Sequence, residues 1–540
     1  SAATVSNAGL IQVDSGTDIA GTSDGNGGML KTAGSLDVSG TLSNGSSARI
    51  VQNGDISAGT EVINDGDWSV AGSSELEITN GVLGGTDAGL TGIGTFCLET
   101  EGGDAALCAG TDEDPDAVAT TLTLNQAGDS TFDGVFAGLG SLEKTGAGTL
   151  TLTNAQTFLG GLTVNDGAIV TGQNTGASTV GTFANTLAIT VNTDGQLDVN
   201  NADTFGSLTN SGIVNVNADQ TVVMVDNKAE ANTGEGDGLI NLRADMTATG
   251  DFKNDGVVEV LDDDRTLNVA TLTGAGAFDG DADGTARDLT INQSGTSTYD
   301  GSVTGVDDFV KTGAGTLTLT GTNAYTGTGL VQAGTLIIGT PDAMDAGNDY
   351  EVSDQATLRI DSNDGLVTGD AVTVDDRGIL DVDSEFKATL LSNSGLSTLD
   401  AELEISTYLD NTATGRIDAN ADVTARNVDN DGVWNVLSSR TLTLNGTGTG
   451  AAGLTGAGSF CLETEGGDAA LCAGTDEDPD AAATTLTLNQ AGDSTFDGVF
   501  EGLGALEKTG AGTLTLTNAQ TFLGGMTVSN GAIVTGQNTG

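Results

Sequence analysis

A single string recurs three times in this chain and constrains everything around it: KTGAGTLTLT at 144–153, 311–320 and 508–517. In its first copy Leu150 and Leu152 alternate with Thr149, Thr151 and Thr153, so one side of the segment is apolar and the other hydroxylated. A period of two is the period of a β-strand, and glycine or Asn-Asp-Gly turns bound the run on both sides. A second apolar pair, Leu162 and Val164, follows, and a third run begins at Ile169. The step from Leu150 to Ile169, about 19 residues, is one circuit of a parallel β-solenoid, in which each turn stacks on the last and buries a continuous interior.

The same rung is legible elsewhere. Short apolar runs after small turns occur at 9–13, 34–38, 53–56 and 64–70, and again at 194–199, 211–216 and 254–260. Gly378, Gly395, Gly415 and Gly432 follow at steps that each match one circuit. The expectation is an all-β chain: a single elongated parallel β-solenoid with loop protrusions and almost no helix, about 120 to 140 Å long if rungs stack about 4.8 Å apart.

A larger repeat overlies the rung. Residues 88–176 and 452–540 agree at 81 of 89 positions without a gap, and a shorter, diverged copy occupies the middle of the chain. The expected organisation is solenoid rungs at 1–63, a first module at 64–176, connecting solenoid at 177–253, a second module at 254–339, connecting solenoid at 340–429 and a third module at 430–540. The chain begins in mid-pattern and stops where the copied segment stops, which suggests a mature or trimmed piece of something longer.

Composition narrows the function classes. Glycine contributes 83 residues and aromatics only 4%, so the core is thin and aliphatic and the turns are tight. Net charge is −60, from 76 acidic against 16 basic residues, a field that repels nucleic acid and anionic membranes and could recruit divalent cations. No apolar stretch long enough to cross a bilayer is present, so no membrane-spanning segment is expected. Histidine is absent, which removes Ser-His-Asp and Cys-His catalysis and imidazole metal sites.

Paired carboxylates survive that filter. The clusters at 262–265 and 375–377, each ending in arginine, could be cast as acid, base and substrate clamp of a polysaccharide-acting β-helix enzyme. In so acidic a chain they read more simply as solvated turns. Threonine ladders of the kind that bind ice would need threonines on successive rungs, and along the sequence they fall at intervals.

Four cysteines form two close pairs, Cys97 with Cys108 and Cys461 with Cys472. An even count, close spacing and no histidine favour local disulfides over metal thiolates, with a gain on the order of 3 kcal/mol for a loop of this size. The middle module lacks this insertion. The segment from Phe278 to Leu289 is less than half as long as the one from Phe96 to Leu122, and it begins DGDADG at 279–284. Asp279, Asp281 and Asp283 at alternate positions before a glycine match the first half of a calcium loop. Thr290 stands where the bidentate glutamate belongs, with Asp288 as a substitute. The expectation is that calcium clamps the middle protrusion while disulfides clamp the outer two.

The three strings, with Tyr325, Gly327, Val331, Gly334 and Leu336 following in the middle copy, resemble the passenger-associated strand repeat of Gram-negative autotransporters. Phe158 and Phe522 replace the tyrosine in the outer copies. The resemblance implies a right-handed parallel β-helix exported through an outer-membrane barrel and displayed on the cell surface or released. It implies an adhesin or a biofilm and matrix fibre that self-associates or contacts surface glycans. A filament or surface-layer subunit is the alternative outside the enzyme class.

Overall fold

The computed structural model describes the chain except residues 1–3, 8–9, 14–16, 20–21, 26–28, 33, 39, 47, 80–88, 100–117, 173–180, 230–237, 345–346, 363–365, 447–452, 464–481 and 537–540, with backbone alone described between 4 and 29. The chain divides into two compact units. One comprises Ser1–Ala270 with Gly276–Phe278, the other Thr271–Ala275 with Asp279–Gly540. Each is a parallel β-solenoid built of short strands, most of them only a few residues long. Among the described residues the one helical element is the 3-10 turn Pro341–Ala343.

Alternation builds the rung as expected. In strand Thr149–Leu152 both leucines are buried and both threonines half-buried. Parallel register then stacks like on like: Leu122 faces Leu142, which faces Leu162. The circuit is less uniform than the repeated string suggests. Leu197 faces Val214 after a short circuit, whereas Val62 faces Leu90 after a much longer one, because turns between rungs absorb extra chain without disturbing the strands.

Two features fill the interior beyond aliphatic stacking. In the first unit Trp68 stacks on Phe96 with ring centroids 4.9 Å apart, and Phe96 on Phe136 at 5.1 Å. In the second, Trp434, Phe460 and Phe500 repeat the arrangement at 5.3 and 5.1 Å. Each such pair contributes about 0.5–1.5 kcal/mol beyond its buried area. The other feature is a ladder of buried asparagines at the turns. Asn210 Nδ2 donates to Asn227 Oδ1 at 2.9 Å and Asn227 to Asn254 at 2.8 Å; Asn393, Asn411 and Asn430 repeat the pattern at 2.9 and 2.6 Å.

The turn after each ladder asparagine is crowded, and this explains the glycine there. A Cβ on Gly395 would lie 2.3 Å from the carbonyl oxygen of Gly378, one rung below. Backbone meets backbone at that corner.

One expectation about the surface is corrected. The threonines do stack on successive rungs: Thr296, Thr316, Thr335 and Thr357 are in register across four strands, and Thr163, Thr190 and Thr209 across three. Their unequal sequence intervals reflect unequal turn lengths.

Candidate functional site

The solenoid is interrupted at one recurring place, the point where a module's insertion leaves and rejoins its rung. In the first module strand Thr95–Cys97 runs on to Leu98, whose N–H donates to Ala137 O at 2.8 Å. Glu99 then forms an antiparallel bridge with Ala119, closing the neck of the insertion. The Glu99 side chain turns inward and is 7% exposed; its Oε2 accepts the Leu139 N–H at 2.9 Å from the next rung. Thr120 Oγ1 donates to Val70 O at 2.8 Å on the returning side.

The third module repeats each contact. Glu463 bridges Ala483, its Oε2 accepts the Leu503 N–H at 2.9 Å, and Thr484 Oγ1 donates to Val436 O at 2.8 Å. Gly138 and Gly502, at φ of 105° and 101°, let the backbone approach these carboxylates; a Cβ there would stand 3.1–3.2 Å from them. A carboxylate accepting a backbone N–H is a strong, charge-assisted hydrogen bond, and burial strengthens it.

The middle module uses the same position for a shorter carboxylate. Counting from the stacked phenylalanine, Asp281 stands where Glu99 and Glu463 stand. Gly280 N–H donates to Thr304 O at 2.9 Å, as Leu98 does to Ala137. A Cβ on Gly305, at φ of 68°, would lie 2.3 Å from Asp281 Oδ1. Asp281 thus lies beside the Gly305 turn, but it is exposed where Glu99 and Glu463 are buried.

The other carboxylates of the expected calcium loop make the following contacts. Asp279 Oδ1 accepts the Asp281 N–H at 3.1 Å, and its carboxyl is pushed up by burial first and by Asp281 beside it. Asp283 Oδ2 receives Arg287 Nη2 at 2.6 Å, which holds this carboxyl below the usual range. Asp288 Oδ1 accepts the Asp308 N–H at 3.0 Å. Asp283 and Asp288 thus have partners of their own while Asp279 and Asp281 lie side by side, and among the described residues no group of three or more acidic or thiol side chains could hold a metal ion.

Cys97 and Cys461 are buried at strand ends, 4% and 2% exposed, and neither is a free thiol. Their expected partners Cys108 and Cys472 lie outside the described residues.

The clusters weighed as catalytic are turns. Asp264 and Arg377 have φ of 58° and 63°, the left-handed conformation of a turn residue. Arg265 Nη1 lies 3.5 Å from Asp245 and Arg377 pairs with Asp354, so each guanidinium reaches a carboxylate outside its own cluster.

One functional residue of the repeat escapes a reading for apolar periodicity. Lys144 sits in register between Leu124 and Val164 and points into the interior, fully buried, as do Lys311 and Lys508. Lys144 Nζ donates to the carbonyls of Thr145 at 2.7 Å and Gly146 at 2.5 Å; Lys311 Nζ donates to those of Thr312, Gly313 and Gly315 at 2.7, 3.1 and 3.0 Å. Burial pushes both amines down to about 8. The signal was present: Leu142 is inward, so period two puts residue 144 inward as well.

Comparison with known proteins agrees with this architecture. The model of the passenger-associated-transport-repeat matches residues 142–170, 309–338 and 506–534, the three segments that carry the buried lysine and its turn. The adhesin BmaC autotransporter of Brucella suis biovar 1 (strain 1330) is 34% identical over 88 residues, which is 16% of this chain and 2% of that protein. No solved structure matches the chain.

Proposed function

We propose, from the premise that this chain is an autotransporter-type passenger β-helix, that it works as a non-enzymatic attachment scaffold on the outside of a Gram-negative cell. The observation that carries this reading is the neck. The outer modules open the rung at one equivalent position and hold it with one equivalent buried carboxylate, Glu99 or Glu463, while the middle module has a shorter insertion there with Asp281 exposed at the corresponding place. A neck secured by rung backbone lets insertions of different length leave the rung without disturbing its strands, which is how a rigid scaffold carries recognition. The chemistry the chain offers a partner is acidic and hydroxylated, fitting cationic or neutral polyhydroxyl surfaces such as surface glycans.

Two measurements test the reading. Particles coated with the full chain should attach to host-type or bacterial cell surfaces. Replacing 100–117 and 464–481 by the short middle-module insertion should reduce attachment several-fold while the β-sheet circular dichroism is retained. Equal attachment by the shortened chain removes the neck argument. A panel of neutral and acidic polysaccharides should stay uncleaved, and cleavage abolished by Asp263→Ala would make the chain an enzyme.

A further inference from the structure

The two outer modules are near copies, yet the outward column of residues behind their necks differs. In the first module the stacked column is Val51, Ser69, Cys97 and Ala137, with Glu99 beside it. In the third it reads Asp418, Asn435, Cys461 and Glu501, with Glu463 in the place of Glu99. The column thus gains two carboxylates.

Glu501 is the one that meets the neck. Its carbonyl accepts the Leu462 N–H at 2.9 Å, and two residues on, the Leu503 N–H goes to Glu463 Oε2 at 2.9 Å. Gly502 stands between, where a Cβ would lie 3.2 Å from the Glu463 carboxyl. The Glu501 side chain is half-buried, whereas Glu463 is buried. From the preceding rung Ser459 donates its hydroxyl to Glu501. Asn435, fully buried one rung further back, gives its Nδ2 to Asp418 Oδ1 at 2.6 Å, and its Oδ1 meets no donor among the described residues. Arg416 is held by Asp418, 2.7 Å from its Nε, at the far end of the column. The rung that follows, at 519–523, brings no charged residue. Among the described residues the charge that faces Glu501 is therefore Glu463, and it has the same sign. Burial pushes the Glu501 carboxyl up, Ser459 offsets part of this, and Glu463 adds to it.

We propose that Glu501 makes the third neck respond to acid. At neutral pH its carboxylate and that of Glu463 repel across Gly502, which loosens the hold on the Leu503 N–H. A proton taken from solvent by Glu501 removes one of the two charges, and the neck tightens. The sign follows from linkage: the closed neck binds this proton more readily than the open one, so acid favours the closed form. The first neck has Ala137 at this place and carries no such dependence. Two nearly identical modules therefore hold their insertions alike in acid and unlike at neutral pH, whatever the chain attaches to.

Amide hydrogen exchange of the full chain, read by mass spectrometry on the peptides that contain Leu139 and Leu503, tests this. Both amides sit in a Gly-Leu-Gly context, so acidity changes their intrinsic rates alike and the ratio of Leu503 to Leu139 isolates the neck. That ratio should fall at least about threefold between pH 7.5 and 5.5. Glu501→Gln keeps the shape and removes the charge, so its ratio should stay at the low value at both pH values. Ala137→Glu should give the Leu139 amide the same dependence; if that variant loses its β-sheet circular dichroism, the Glu501→Gln comparison decides alone. A wild-type ratio that does not change with pH overturns the proposal, as does a fall that Glu501→Gln retains. Neither result bears on attachment, which is tested through the insertions themselves.

Discussion

Lys144 and Lys311 place an amine inside a solenoid where aliphatic side chains above and below would pack more easily. The carbonyls of the following turn curl back over the end of the strand and need donors, and an unmet buried carbonyl costs about 1–3 kcal/mol. The pH dependence has a definite sign. Both amines titrate at about 8 in the folded chain, against the ordinary lysine value near 10.4 when unfolded. Between these values the unfolded chain binds more protons, so stability rises with pH. Tyr408 closes the window: burial, and then Asp429, push its hydroxyl up to about 12, so above pH 10 the unfolded chain ionises first and stability falls. The thermal midpoint should therefore climb from pH 8 to 9.5, and the climb should shrink in Lys144→Met with Lys311→Met, Lys508 keeping the remainder. A flat wild-type profile would mean that burial does not depress the two amines.

Asp281 separates two readings of one residue. As an exposed carboxylate beside the rung it should matter little, and equally, in calcium and in chelator. Asp281→Ala is expected to change stability by no more than about 0.5 kcal/mol in both. A calcium-dependent difference would restore the cation loop.

At the scale of the element, the rung is closed by its asparagine. Asn411 Nδ2 donates to both Asn430 Oδ1, at 2.6 Å, and Val433 O, at 3.2 Å, while its own Oδ1 accepts Asn393 Nδ2 at 2.9 Å. Asn411→Leu leaves buried groups on both neighbouring rungs unpaired, an expected loss of at least about 2 kcal/mol. Solenoid stability is close to a sum of nearest-neighbour terms, so the damage should stay local. Hydrogen exchange should accelerate in the rungs around residues 393–436 and remain unchanged in the first unit. Uniform acceleration throughout would mean that the two units unfold as one.

Most of this element was legible in the sequence. Alternation in TLTLT, the glycines and the Asn-Asp-Gly turns each act within a few residues, and local sterics and burial suffice to read them. The necks were half legible. Phe96, Phe278 and Phe460 mark where the insertions open, but the closing carboxylates Glu99 and Glu463 look like two more acids in an acidic chain. Only the backbone one rung away gives them a partner.

At the scale of the molecule, the net charge of −60 is a standing cost that acid relieves. Asp381 and Asp410 are both pushed up by burial first, Asp381 then by Asp383 beside it and Asp410 by Asp429 and Asp431 on the next rung. Glu501 is raised the same way, by burial and then Glu463. Raised carboxyls bind protons in the folded state before the unfolded one, so stability should increase as pH falls from 7 towards 5. Differential scanning calorimetry should place the highest midpoint in that range on the acid side. A maximum at pH 7 would mean that paired carboxylates outweigh the crowded ones.

By itself the sequence determined the strand, the turn and the repeat, because alternation and turn chemistry are local and each copy states them again. Register lay beyond it. Turn lengths set which residue of one rung meets which of the next, and they differ widely, as the short circuit from Leu197 to Val214 and the long one from Val62 to Leu90 show. Tertiary structure therefore decided that Arg287 pairs with Asp283, that Glu99 and Glu463 reach the backbone of the next rung, and that threonines distant in sequence line up beside Ile379 and Leu396. Each is a contact between side chains or backbones brought together by stacking, about 4.8 Å apart in space and a full circuit apart in the chain.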